Sequence, residues 1–304
     1  MNKPSEPINL TRFAWLSIAA AIVTIGLKLG AFWITNSVGL LSDALESLVN
    51  LVTAIAALIA LHISTRPADE EFAFGYSKVE YFSSGFEGGM ILLAAGSIAA
   101  TAFPRLIRPQ PIEQVGFGLG VSVIASLINL GISRILARAA RQYGSITLEA
   151  DSRHLMTDVI TTGGVLVGVL LVSLTGFERL DPIIALIVAA NILFTGIGLL
   201  RHSARGLMDV SLPAPEVQDI EEILKPYQSQ GVIFHALRTR ESAARGFVSM
   251  HLLVPGKWSV RQAHHKAEQI ESEIRAKNPN VAVFTHIEPR EDPESLEDSM
   301  LDKE

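Results

Sequence analysis

Six stretches of this chain, roughly 13–35, 39–62, 82–103, 115–137, 148–175 and 181–201, are mostly apolar over about 20 residues or more. That length of helix spans the hydrocarbon core of a bilayer, where a helix satisfies its own backbone hydrogen bonds. A chain with six such stretches is expected to cross a membrane six times. Composition agrees: 49% of the residues are hydrophobic and 18% charged, against about 25% charged in a typical soluble domain. Trp15 and Trp33 bracket the first span, as interfacial aromatics do. The polar opening MNKPSEPINL and the length of the first apolar run do not read as a cleavable signal peptide.

Basic residues in short loops set the expected orientation. With the N-terminus inside, the inner loops and flanks hold Lys3, Arg12, Arg66, Lys78, Arg134, Arg138, Arg141, Arg201 and Arg205. The outer loops hold Arg105, Arg108 and Arg179. Both termini are therefore expected in the cytoplasm, with a bacterial inner membrane as the setting.

Three segments are expected: a transport domain over 1–208, a cytoplasmic domain over 209–290 and an acidic, disordered tail over 291–304. In the middle segment, 213–228 reads as an amphipathic helix, and 232–240 and 247–254 alternate as strands around a turn at 242–246. A helix follows from the N-cap Ser259 to Lys277, and a strand over 280–288 closes a small α+β layer. The tail carries seven acids and one lysine, which accounts for the net charge of −6 and argues against a nucleic-acid partner. The absence of cysteine excludes disulfides and thiolate metal sites.

Polar residues inside the spans are costly, so their positions carry information. Asp43, Glu46 and Asn50 share one face of the second span, and His154 and Asp158 share one face of the fifth. If the faces meet, Glu46, Asn50, His154 and Asp158 offer three oxygens and one imidazole nitrogen, a set suited to a divalent transition metal. Two carboxylates beside neutral His and Asn sum to −2, which such a cation neutralises. A purely structural hydrogen-bond network needs fewer ligand-capable groups. Lys28 reads as snorkelling or paired. Glu87 lies seven residues after Glu80, on the same face, and fits a proton relay or packing polarity equally. The small-residue pairs Gly116/Gly120 and Gly164/Gly168 read as helix-packing sites.

SVGLLSDALESLVN, then RPADEEFAFGYSKVEYF and HLMTD, resemble the cation diffusion facilitator family of metal–proton antiporters. The resemblance runs from about Phe13 to Glu288. It implies a bundle of six transmembrane α-helices carrying an α+β ferredoxin-like cytoplasmic domain that dimerises and binds metal. It implies that Glu46, Asn50, His154 and Asp158 form the transport site. In the C-terminal domain it implies His235, His251, His264, His286 and Glu288 as metal ligands, in a mono- or binuclear site that Glu288 would bridge. Lys78 and Asp209 match charges that tie the two halves together in relatives.

Departures from the pattern bear on selectivity. Helix 2 offers Glu and Asn where many members have two Asp, or His and Asp, so a zinc preference does not transfer. In the second-to-third-helix loop Asp69 remains, but Phe72 and Tyr76 replace the two histidines of a further family site, which is expected to be lost. His62, His202 and His265 read as incidental.

The expected function is efflux of a divalent cation in exchange for protons, with zinc, iron, manganese and cobalt all open. Protons and metal compete for the same ligands. The alternative is a non-transporting membrane metal sensor or scaffold. An enzyme is not expected, since neither an HExxH motif nor a Walker motif is present.

Overall fold

The structure is a computed structural model and describes residues 10–35, 38–108, 116–177 and 179–295. Its first unit contains α1 (Thr11–Thr35), α2 (Val38–Ser64), α3 (Val79–Ile107), α4 (Gly116–Tyr143), α5 (Ile146–Thr175) and α6 (Leu180–Leu207). Among the described residues five helices are long and apolar enough to cross a membrane, and Asn50–Ser64 of α2 adds a shorter apolar stretch. Ile22, Val52, Leu93, Leu127, Leu170 and Phe194 face outward, while Thr53, Ser84, Asn129, Ser133 and Ser152 are buried. A water-soluble bundle has the opposite pattern. Apolar atoms on the outside and hydroxyls and amides within suit helices solvated by lipid.

Paired polar groups join these helices. Ser133 Oγ donates to the Ser152 carbonyl at 2.8 Å, and Ser152 Oγ returns a bond to the Ser133 carbonyl at 2.9 Å, which ties α4 to α5. Ser145 caps α5, accepting from Leu148 N, while its own hydroxyl donates to Glu80 Oε2 at 2.5 Å. Thr147 N donates to the same Glu80 oxygen at 3.4 Å. A carboxylate at a helix start is favoured by the helix dipole, so Glu80 serves as a structural tie between α3 and α5.

Glycines bring α3 and α6 into backbone contact. A Cβ on Gly88 would lie 3.3 Å from the Gly196 carbonyl, and one on Gly196 would lie 3.2 Å from that of Gly88. Gly164 likewise has no room, since its Cβ would meet Val188 at 2.7 Å. Of the expected packing glycines, Gly164 makes a close approach and Gly120 has open space around it. The side-chain environment of Gly116 lies outside the described residues.

The chain divides into two compact units, 1–204 and 205–304, so the last three residues of α6 group with the second. The second unit runs α7 (Ala214–Gln228), β1 (Ile233–Ser242), β2 (Arg245–Val254), α8 (Val260–Lys277) and β3 (Val281–Pro289). The sheet order is β1-β2-β3, with β1 antiparallel and β3 parallel to the central β2. This is the expected ferredoxin-like α+β layer. Ile220, Leu224, Ala263, Ala267, Ile270 and Ile274 of the helices pack on Val248, Met250, Leu252 and Val254 of β2. The other face of the sheet, which bears His251, is therefore turned away from both helices.

A bulge in β1 keeps this arrangement in phase. His235 pairs with His251 but Arg238 pairs with Ser249, so two residues of β1 oppose Met250. Ala236 takes φ of 51° at the bulge. Phe234 and Leu237 both pack against the core, although strict alternation would put Leu237 on the face of His235. The β1–β2 turn is tighter than expected: Ser242 pairs with Arg245, and Ala243 turns at φ of 52°. Past β3, Gly256 N donates to Glu291 Oε2 at 2.8 Å, and Ser295 Oγ donates to the Pro289 carbonyl at 2.9 Å. The first five residues of the expected tail are thus held against the domain. The remainder, 296–304, lies outside the described residues.

Ser259 and Gln262 form a capping box at the start of α8. Ser259→Ala is expected to destabilise the C-terminal unit by about 1 kcal/mol, measured as a lower urea midpoint in circular dichroism with an unchanged slope.

Candidate metal sites

Three helices converge on a buried polar group in the first unit. Asn50 of α2 donates through Nδ2 to Asp158 Oδ2 of α5, and its Oδ1 lies 2.8 Å from His154 Nε2. An amide oxygen only accepts, so the imidazole carries its proton on Nε2. His154 Nδ1 is then left as a buried lone pair with no partner among the described residues. Asn129 of α4 adds a second amide donor to Asp158 Oδ2, at 3.3 Å. Asn50, Asn129 and His154 are all buried, and Asp158 is half-buried.

The backbone of Glu46 lies in α2, four residues before Asn50 and so on the same helical face. The side chains of Glu46 and Asp43 lie outside the described residues. Asn129 is absent from the expected set. Its signal was available, as a lone amide amid the apolar residues of 115–137, but spacing alone does not reveal that α4 faces α2 and α5.

In the second unit, strand register aligns His235, His251 and His286 across β1, β2 and β3. Glu288, two residues beyond His286, shares their face. Its Oε2 lies 3.0 Å from His235 Nε2, and its Oε1 lies 3.0 Å from His251 Nδ1 and 3.6 Å from His286 Nε2. His235, His251 and Glu288 place one ligand atom each within 4.8 Å of one another. His286 is the most exposed member, at 68% of its side chain. Each carboxylate oxygen thus has an imidazole beside it, a geometry that suits a bridging ligand.

His264 stands apart. It is exposed on α8, against His265, and α8 packs on the opposite side of the sheet. Within one chain it is not brought to the other four residues.

The loop after α2 uses Asp69 structurally. Its carboxylate accepts from Tyr76 Oη at 2.5 Å and from the amides of Phe72 and Glu71 at 2.7 and 3.1 Å. The bond from Tyr76, with those amides, holds the Asp69 carboxyl below its ordinary range, and the same bond pushes the Tyr76 phenol up. Phe72 and Tyr76 pack ring to ring at 4.6 Å. Asp209 pairs with Arg240 at 3.0 Å.

Residues 14–208 match the cation efflux transmembrane domain, and residues 212–290 match the cytoplasmic domain of cation efflux proteins. An uncharacterized transporter of Synechocystis sp. is 50% identical over 283 residues, covering 93% of this chain and 91% of that protein. The cation-efflux pump FieF of Salmonella arizonae is 30% identical over 280 residues, covering 92% of this chain and 93% of the pump. Among solved structures, the metal-bound C-terminal domain of the CzcD transporter from Thermotoga maritima is 26% identical, with a TM-score of 0.25; the match covers 27% of this chain and 99% of that one.

Glu288→Ala removes a side chain that touches all three histidines. Metal affinity of the C-terminal unit is expected to fall by roughly 10- to 100-fold, the range for loss of a supporting partner. Binding is also expected to weaken as pH falls, because protons compete for the imidazoles. Calorimetric titration of the 205–304 fragment with zinc at two pH values measures both effects.

Proposed function

The chain belongs to the cation diffusion facilitator family of cation-efflux transporters, and on that premise we propose that it exports a divalent transition-metal ion from the cytoplasm in exchange for protons. The observation that carries this reading is the meeting of Asn50, His154 and Asp158 inside the helices of the first unit. Glu46 completes the ligand set, with Asn129 orienting Asp158. The set has two carboxylates and neutral amide and imidazole groups, so a divalent cation balances its charge. One nitrogen among oxygen donors makes a harder site than one rich in His or Cys, and supports iron(II), manganese(II), cobalt(II) and zinc(II) as cargo.

Exchange follows from competition for lone pairs. The ion needs a deprotonated imidazole nitrogen and ionised carboxylates, so low pH on the far side expels it and loads protons. Movement of the helices opens the site to each side in turn. His235, His251, His286 and Glu288 form a second metal site that senses cytoplasmic metal, outside the translocation path. The segments 1–208 and 209–290 act as transport and regulatory domains of a homodimer in a bacterial inner membrane. Both termini are cytoplasmic, in line with the distribution of basic loop residues.

Flux into proteoliposomes under an imposed pH gradient, with a panel of divalent ions, tests this reading. Asp158→Ala is expected to abolish flux in a folded protein, and normal flux would remove the proposed site. Asn129→Ala leaves every ligand in place and is expected to reduce flux only partially. Asn50→Asp adds a negative charge, so it is expected to lower the apparent KM and move proton competition to higher pH, because crowded carboxylates hold protons more tightly. An Asn50→Asp protein identical to the parent for every ion would exclude Asn50 from the site.

A further inference from the structure

A second buried acidic group lies in the first unit, and the metal site does not use it. Glu87 of α3 is fully buried, and neither of its carboxyl oxygens has a hydrogen-bond partner among the described residues. Asp151 of α5 is 1% exposed; its Oδ1 accepts from Ser17 Oγ of α1 at 3.1 Å, and its Oδ2 has no partner among the described residues. Ile91, one turn after Glu87, and Ala150, next to Asp151, pack in one buried cluster, which brings α3 and α5 together at this level. Ser83 and Ser84, four and three residues before Glu87 and so on its face of α3, are also buried, and their hydroxyls have no partner among the described residues.

Buried polar atoms are nearly always hydrogen-bonded, so these five orphaned oxygens, four on α3 and one on α5, call for a ligand. Nearby charges are committed elsewhere. Glu80, also buried and on the same face of α3, is held by Ser145 and Thr147, and Arg153 of α5 pairs with Glu149. His202 of α6 lies against Tyr81. Lys28 is three turns beyond Ser17 on α1. No lysine, arginine or histidine among the described residues pairs with Glu87 or Asp151. Two ionised carboxylates cannot remain together in such an interior without a counter-charge.

We propose that Glu87 and Asp151 form a proton-binding site within the membrane half, separate from the metal ligands. The groups at hand are two carboxyls and the hydroxyls of Ser17, Ser83 and Ser84, a set that offers a transition metal no nitrogen ligand. A proton needs one oxygen. On gaining it a carboxylate becomes a neutral acid that can donate to its neighbour or to a serine hydroxyl; on release the proton goes to water.

The place of the pair gives it a role. Asp151, His154 and Asp158 stand at i, i+3 and i+7 on one stripe of α5. At 1.5 Å per residue, Asp151 lies about 4.5 Å along the axis from His154 and about 10 Å from Asp158. A rearrangement that changes access to the metal ligands on α5 therefore also changes the surroundings of Asp151. The pair carries a proton through the exchange cycle, a role that rests on the exchange reading above.

Two measurements on the full-length protein test this. Infrared spectroscopy at neutral pH is expected to show a protonated-carboxyl stretch that the double variant Glu87→Gln/Asp151→Asn loses; a band that persists overturns the site. In proteoliposomes, the same variant is expected to move fewer protons per zinc ion while its zinc Kd is kept. An unchanged ratio overturns the carrier role, and a parallel loss of bound zinc identifies a metal site instead. If the parent moves no protons with zinc, the exchange reading has failed, and the infrared band still decides whether the pair holds a proton. Should the double variant not assemble, Ser17→Ala removes the donor to Asp151 and is expected to shift the band; a band that stays in place overturns the proposal.

Discussion

Carboxylates inside a bundle solvated by lipid have to be satisfied by the protein itself, and α5 is the element on which this requirement concentrates. Its first turn is held by Glu80 and Ser145, its next turns carry Asp151 and His154, and Asp158 follows on the same stripe. Each of these groups is costly in an apolar interior unless a neighbouring helix supplies a partner. α1 supplies Ser17, α2 Asn50, α3 Glu80 and α4 Asn129. The packing of α5 against four other helices is thus dictated as much by polar satisfaction as by its apolar contacts.

The three acids around α5 differ in what they receive, and that difference separates structure from function. Glu80 has a hydroxyl and a backbone amide at a helix start, where the dipole also favours it. Asp158 accepts from the Asn50 and Asn129 amides. Glu87 has none among the described residues. A fully satisfied carboxylate stabilises one arrangement of helices, whereas an unsatisfied one changes its protonation or its ligand when the arrangement changes. The same contrast holds in the C-terminal unit, where both oxygens of Glu288 face imidazoles but Glu291 is spent on the Gly256 amide, which lowers its carboxyl below the ordinary range.

The C-terminal sheet shows how little backbone irregularity is needed to build a site. Pairing alone puts His235, His251 and His286 abreast. The bulge at Ala236 then lets Phe234 and Leu237 both reach the core without turning His235 away from its partners. The helices cover one face of the sheet with apolar side chains, and the ligand-bearing face is left to the histidines and Glu288.

Much of this protein is legible in one dimension. Twenty-residue apolar stretches must be helices in a bilayer, and i, i+4 spacing must put His154 and Asp158 on one face, because both follow from the rise and period of the helix. Strand alternation likewise places His286 and Glu288 together. What depends on which faces meet could not be read that way. Asn129 joining Asp158 across α4 and α5, Gly88 and Gly196 bringing α3 against α6, and α3 meeting α5 where Glu87 and Asp151 are buried are all products of packing between distant segments. So is the separation of His264 from the other histidines, which follows from α8 covering the opposite face of the sheet. Local periodicity determined the elements and the faces that residues share; tertiary packing decided the partners, because a hydrogen bond or a close helix contact depends on distances between elements that no spacing along the chain encodes.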